Sequence, residues 1–170
     1  MNFLDLARSR YSCKNYRSDQ IRQDQLQGIL EAGRLAPTAK NLQEQRIYVV
    51  QSQAGLEKID SLTPCRYGAP TVLVIAYDKT NTFTYPGQVM DSGVEDATIV
   101  ATHMMLAAKS LGVDSCWINF FDPAKAKELL DLAENEEIVC FLDLGFADQD
   151  GGPKENHNKR KALEETVSYL

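Results

Sequence analysis

Between residues 91 and 118 the chain carries its densest apolar patterning, DSGVEDATIVATHMMLAAKSLGVDSCWI. Val94, Ala97, Ile99, Val100, Ala101, Met104, Met105, Leu106, Ala107, Ala108 and Leu111 cover too much of a helix circumference for one amphipathic stripe. A helix apolar on nearly all sides is buried, either in a large core or against a second subunit. In a chain of 170 residues there is little core to surround it, so one face is expected at a subunit interface. Ser92 with Glu95 reads as a capping box opening this helix. Gly112 reads as its left-handed stop. The following residues, 115–118, read as a short strand.

The rest of the pattern fills in around that spine. Phe3, Leu4, Leu6 and Ala7 predict a short helical opening. Leu26, Ile29, Leu30, Ala32 and Leu35 recur at helical spacing over 23–35, and Pro37 ends that helix. Residues 36–45 are a polar loop into a strand at 47–50, and 54–62 predicts another short helix. TVLVIAY at 71–77 is a continuous apolar run rich in β-branched residues, hence a strand covered on both faces. Asp122-Pro123 is an N-cap with proline at the first helical position, opening a helix to Leu132. A last strand is expected at 138–146. Helices and about four strands alternate along one domain, residues 1–170. Leu163, Val167, Tyr169 and Leu170 leave an apolar tail that is expected to dock on something, with a partner subunit as one candidate.

Composition narrows the functional classes. A net charge of −6 argues against a nucleic-acid partner, although a local basic site remains open to a small anion. No run approaches membrane-spanning length. The four cysteines, Cys13, Cys65, Cys116 and Cys140, are widely spaced, and Cys116 and Cys140 lie in apolar runs as reduced core thiols. A cytoplasmic location is therefore expected.

Candidate chemistry is sparse. The two histidines, His103 and His157, sit at no metal-ligand spacing; His103 reads as a hydrogen-bonded or interface residue and His157 as solvated. Pairing of Cys13 or Cys65 with His103 as a nucleophilic dyad is not required by anything in the sequence. Both glycine-rich phosphate loops are missing, so a phosphate would have to be held by side chains. Two basic clusters offer them: Arg8/Arg10/Lys14, and Lys159/Arg160/Lys161. The plainer reading is that both are solvated charge runs.

Motif order supplies a further reading. RYSCKNY at 10–16 resembles the R-x-S-x-[RK]-x-[FY] signature that opens FMN-dependent nitroreductase-family proteins. APTAKNLQ at 36–43 resembles the family's A-P-S-x-x-N-x-Q segment. HMMLAA, LG and SCWI, between 103 and 118, resemble its central helix and following strand, and KRKALEE at 159–165 its C-terminal basic motif. The resemblance implies an α+β, three-layer sandwich with a mainly antiparallel central sheet flanked by helices, assembled as an intertwined homodimer with FMN at the interface. Residues 159–170 would then be an extension packing on the partner.

It further implies that Arg10, Tyr11, Ser12 and Lys14 bind FMN, with Lys14 beside the N1/O2 side of the ring. Lys159 and Lys161 would complete the phosphate clamp, with Arg160 as an alternate. Pro37, Thr38, Ala39 and Asn41 would approach from the other subunit, and Trp117, Ile118 and Asn119 would line the ring. The implied activity is hydride transfer from NADH or NADPH through flavin N5 to small electron-poor acceptors such as nitroaromatics or quinones, with no essential side-chain acid or base. A flavin-storing or sensing module, or an interaction protein keeping only the dimer fold, are the alternatives. Two departures stand out: Thr38 replaces the usual serine, and Glu44-Gln45 replaces the frequent proline-tryptophan.

Overall fold

A computed structural model describes residues 2–170. Its elements are α1 (Phe3–Ser9), α2 (Gln23–Arg34), β1 (Gln45–Val50), α3 (Gln53–Leu62), β2 (Thr71–Asp78), α4 (Gly93–Ser110), β3 (Asp114–Ile118), α5 (Pro123–Leu129) and β4 (Glu136–Gly145). The four strands form one sheet in the order β1-β2-β4-β3. Every neighbouring pair is antiparallel.

The sheet is sandwiched between two layers of helices, because β2 and β4 are apolar on both faces. On one face Leu73, Ile75, Leu142 and Leu144 pack against Leu26 and Ile29 of α2 and Val100, Ala101 and Met104 of α4. On the other, Val72, Val74 and Phe141 pack against Leu56 and Ile59 of α3 and Ala126 of α5. This is the expected α+β three-layer architecture, and the uninterrupted apolar run of β2 is its direct cause.

The stripe of α4 that meets the core is Ala97, Val100, Ala101, Met104 and Ala108. Its other face is only partly covered within the chain: α1 packs beside Leu106, Ile99 and Met105 are half-buried, and Val94 and Leu111 are exposed. Leu163, Val167, Tyr169 and Leu170 of the tail are exposed as well. Gly112 stops α4 at φ 75°, as its position predicts.

The start of α4 differs from expectation. No capping box forms. Ser92 Oγ instead accepts from Phe83 N at 3.1 Å and donates to Glu44 Oε1 at 3.3 Å. Asp91 Oδ1 takes the Gly93 amide at 2.9 Å, and Glu95 accepts from the Tyr85 hydroxyl. Tertiary partners have outcompeted the local motif. Helix α5 also ends earlier than Leu132, because Asp131 turns left-handed at φ 56°. Its start is as expected, with Asp122 Oδ1 accepting from Ala124 and Lys125.

Candidate functional site

After α1 the chain runs along the free edge of β3. Ser12 bridges Ser115 in parallel, and Cys13 N donates to Ser115 O at 3.0 Å. Tyr16 bridges Ala147, and Arg17 N donates to Phe146 O at 2.9 Å. Cys13 and Tyr16 are the buried anchors of this segment. Their alternation sends Ser12 and Lys14 outward, and both are exposed.

The far end of the chain folds onto the same place. A turn over Glu155–Asn158 brings His157 Nε2 within 3.1 Å of Arg8 O. The His157 ring stands edge-on to Tyr11, with centroids 6.2 Å apart. Arg160 Nη1 donates to His157 O at 2.5 Å and to Lys159 O at 2.7 Å. Between the two segments lies a cavity of about 370 Å³, lined by Arg10, Tyr11, Ser12, Lys14, Lys154, Asn156, His157 and Arg160. Four of these eight residues are cations and none is a carboxylate, in a chain whose net charge is −6. Such a wall of guanidinium, ammonium, hydroxyl and amide donors suits a phosphate-bearing ligand.

The wall is braced from behind. Lys109 Nζ, at the end of α4, sits 4.7 Å from the Tyr11 ring centroid and pairs with Asp114 Oδ1 at 3.0 Å. Asp114 Oδ2 takes the Ala147 amide at 3.1 Å. Partial burial, then the Asp114 charge, push the Tyr11 phenol up to about 12, so it stays neutral at physiological pH.

Of the sequence candidates, Arg10, Tyr11, Ser12 and Lys14 therefore converge. From the C-terminal basic run it is Arg160 that lines the cavity; Lys159 pairs with Glu155 at 3.6 Å, and Lys161 is exposed. Pro37, Thr38, Ala39 and Asn41 lie in the connection between α2 and β1, where the Ala39 amide donates to Asp96 of α4, and they do not line this cavity. Trp117 is half-buried on β3, Ile118 points into the core, and Asn119 bonds both the Trp117 indole and Val139 O.

Three cavity residues, Lys154, Asn156 and His157, escaped the sequence reading. His157 is not simply solvated, and the run KENHNKRK was the available signal. Neither cysteine–histidine dyad forms: His103 Nδ1 bonds Ile99 O at 2.9 Å, and Cys13 Sγ donates to Asn15 O at 3.3 Å. Arg66 is committed to Asp60, at 2.6 Å through both nitrogens, and to Ala69 O at 2.7 Å. Among the described residues no group of metal ligands occurs, and no helix is long and apolar enough to cross a membrane.

Against known proteins, the Nitroreductase family model matches residues 7–66 and 64–146. The chain belongs to the nitroreductase family. A nitroreductase family protein of Clostridium difficile, solved by crystallography, superposes with a TM-score of 0.93 at 36% identity, covering 99% of this chain and 98% of that one. The NADH dehydrogenase of Thermus thermophilus is 26% identical, over 96% of this chain and 93% of its own. A crystal structure from Exiguobacterium sibiricum, in complex with FMN, shares the fold at a TM-score of 0.85 and 19% identity, covering 100% of this chain and 98% of that chain. In this nitroreductase-family chain the cation-walled cavity thus takes Arg10, Tyr11, Ser12 and Lys14 from the opening motif and only Arg160 from the basic run at 159–161.

Proposed function

We propose that this chain is an FMN-dependent NAD(P)H oxidoreductase acting on small electron-poor acceptors such as nitroaromatics or quinones. The observation that carries the reading is the cavity between residues 10–14 and 154–160, rich in cations and free of carboxylates. Its donor chemistry fits the FMN phosphate. Arg10, Ser12, Lys154 and Arg160 are the residues we assign to it, with Lys159 and Lys161 completing the basic rim.

Bound there, FMN would supply the chemistry, accepting a hydride from NAD(P)H and passing two electrons to the acceptor. The protein's part is orientation and electrostatics. Lys14, projecting from the edge segment, is assigned to the ring's N1/O2 side, where an ammonium favours negative charge as it develops. Tyr11 forms one side of the phosphate end and stays uncharged. Trp117, Ile118 and Asn119 line the ring, Ile118 through its backbone because its side chain is buried. No side-chain acid or base is needed.

A homodimer completes the site in this reading. Pro37, Thr38, Ala39 and Asn41 act on the flavin of the other subunit, which accords with none of them lining the cavity of their own chain. The partly covered face of α4 and the apolar residues in the 159–170 extension supply the contact surface. Free thiols at Cys13, Cys65, Cys116 and Cys140 support a cytoplasmic location.

The test is the visible spectrum of freshly purified protein, with the released cofactor identified by mass, followed by NAD(P)H oxidation in the presence of a nitroaromatic or quinone. A flavin spectrum, FMN stoichiometric with subunits and acceptor-dependent turnover are expected. A colourless protein that refuses added FMN rejects the proposal.

A further inference from the structure

The chain leaves β3 through a tight turn. Asn119 O accepts from Phe121 N at 3.0 Å, which makes Phe120 the tip of a three-residue turn. The residues on either side of the tip are tied down. The Asn119 side chain accepts from the Trp117 indole and donates to Val139 O at 2.9 Å. The Phe121 ring stacks on Phe141 of β4, with centroids 4.0 Å apart and planes 11° from parallel. Asp122 caps α5. Phe120, held between them by its backbone, is left 73% exposed.

The exposed ring stands at a cavity. Leu62 at the end of α3, Asn119, Phe120, Phe121 and Asp122 line a space of about 390 Å³. Leu62 and Phe121 pack on the core between the sheet and α3 and α5, so that wall is fixed. Among the described residues Asp122 is the one charged member of the lining. The remainder is apolar or amide, which suits a flat ring better than a charged group.

This cavity continues the edge that carries the basic site. Ser12 pairs with Ser115 in parallel, so residues 10–12 run alongside the start of β3. From Ser115 the chain goes on through Trp117 to Asn119, four residues or about 13 Å further along. The order along the edge is therefore the cation wall, then Trp117 and Asn119, then Phe120. In the function proposed above, the first holds the phosphate and the next two line the flavin ring. An acceptor taking electrons from that ring needs a surface beside it, and Phe120 supplies one. The face of a phenyl ring is electron-rich, and it attracts the depleted face of an electron-poor ring in offset stacking.

We propose that Phe120, with Leu62 and Phe121, forms the acceptor subsite and selects flat, electron-poor rings by stacking on them. The role in turnover rests on the function proposed above; the ring-binding pocket does not. Phe120 is a specificity-determining residue here, contributing contact and no proton.

Trp117 is the only tryptophan of the chain, and its indole bonds Asn119 of the cavity lining, so its fluorescence reports on the pocket. Nitrobenzene is the probe: it is electron-poor, quenches indole emission and carries no charge for Asp122 to act on. With flavin-free protein, quenching is expected to saturate at an unchanged emission lifetime, as binding rather than collision requires. Phe120→Ala is expected to raise the Kd about 2- to 13-fold, the worth of one aromatic pair. Phe120→Leu keeps apolar bulk without the ring and is expected to lose as much. Quenching that does not saturate in the wild type, an unchanged Kd in Phe120→Ala, or a wild-type Kd in Phe120→Leu overturns the proposal. Altered subunit assembly of Phe120→Ala in sedimentation makes the ring a subunit contact instead, and overturns it too. In the FMN-loaded protein, kcat/KM for menadione is expected to fall through KM by a similar factor. That for ferricyanide, which has no ring to stack, is expected to stay the same. Phe120-dependent binding of nitrobenzene without FMN uptake rejects the function alone, and turnover with binding independent of Phe120 rejects the subsite alone.

Discussion

Any Cβ on Gly93 would lie 2.1 Å from Cε2 of Tyr77, so the Tyr77 ring rests directly on the first turn of α4. That close approach seats the long helix against β2. Gly93→Ala must push the ring or the helix aside, and overpacking of this kind costs about 1–3 kcal/mol. Urea denaturation is expected to show that loss. Combining Gly93→Ala with Tyr77→Val removes the clash, so the double variant is expected to lose less than the sum of the two single changes.

The same helix start shows where sequence reasoning works and where it fails. Periodicity placed α2 and α4, and the Asp122-Pro123 cap placed the start of α5, because burial of one face and local backbone hydrogen bonds decide those features. The uninterrupted run in β2 announced a sheet covered on both sides. The Ser92–Glu95 box was an error of range: Glu44, 48 residues away, takes the serine hydroxyl, and Tyr85 takes the glutamate. At the candidate site, Arg10, Ser12 and Lys14 were legible from their motif. His157 was not, since its place depends on the Arg8 carbonyl 149 residues earlier.

Removal of Arg10 or Arg160 should weaken FMN binding more than removal of Lys159. The first two line the cavity, whereas Lys159 is engaged with Glu155 on the surface. A hydrogen bond to a charged group contributes about 1.5–3 kcal/mol, so Arg10→Ala and Arg160→Ala are each expected to raise Kd by roughly 10- to 150-fold. Quenching of FMN fluorescence measures it. Equal losses in all three variants would mean that general positive potential, rather than the cavity, holds the phosphate.

Lys109 ties three pieces together: the end of α4, the start of β3 through Asp114, and the Tyr11 ring. Lys109→Met keeps the stem and removes the charge. It leaves Asp114 with the Ala147 amide and strips the cation from the ring. A loss of about 1–2 kcal/mol is expected from the charged hydrogen bond and the ring contact together. Chemical denaturation gives the size, and faster exchange at the Ala147 amide would show that the loosening is local to this corner.

Asp143 poses the opposite problem, a buried acid with nothing to satisfy it. It is fully buried on β4, paired in register with Cys116 and Val72, and among the described residues neither carboxylate oxygen has a hydrogen-bond donor. The neighbouring Tyr16 hydroxyl is buried as well. Burial pushes the Asp143 carboxyl well above the usual range, and the opposing charge of Arg66 does not cancel it. In the unfolded chain the group ionises near 3.9, roughly its model-peptide value. The folded state thus holds a proton that the unfolded state has released, and stability falls as pH rises from that value toward the folded one. Asp143→Asn removes the titration while keeping shape and polarity. Denaturation at about pH 4, near the unfolded-state value, is expected to find the two proteins similar. As pH rises the variant is expected to gain on the wild type by up to about 1.4 kcal/mol per pH unit. A wild-type stability that rises with pH relative to the variant would mean that Arg66 holds Asp143 ionised, and the assignment of a neutral carboxyl would fall.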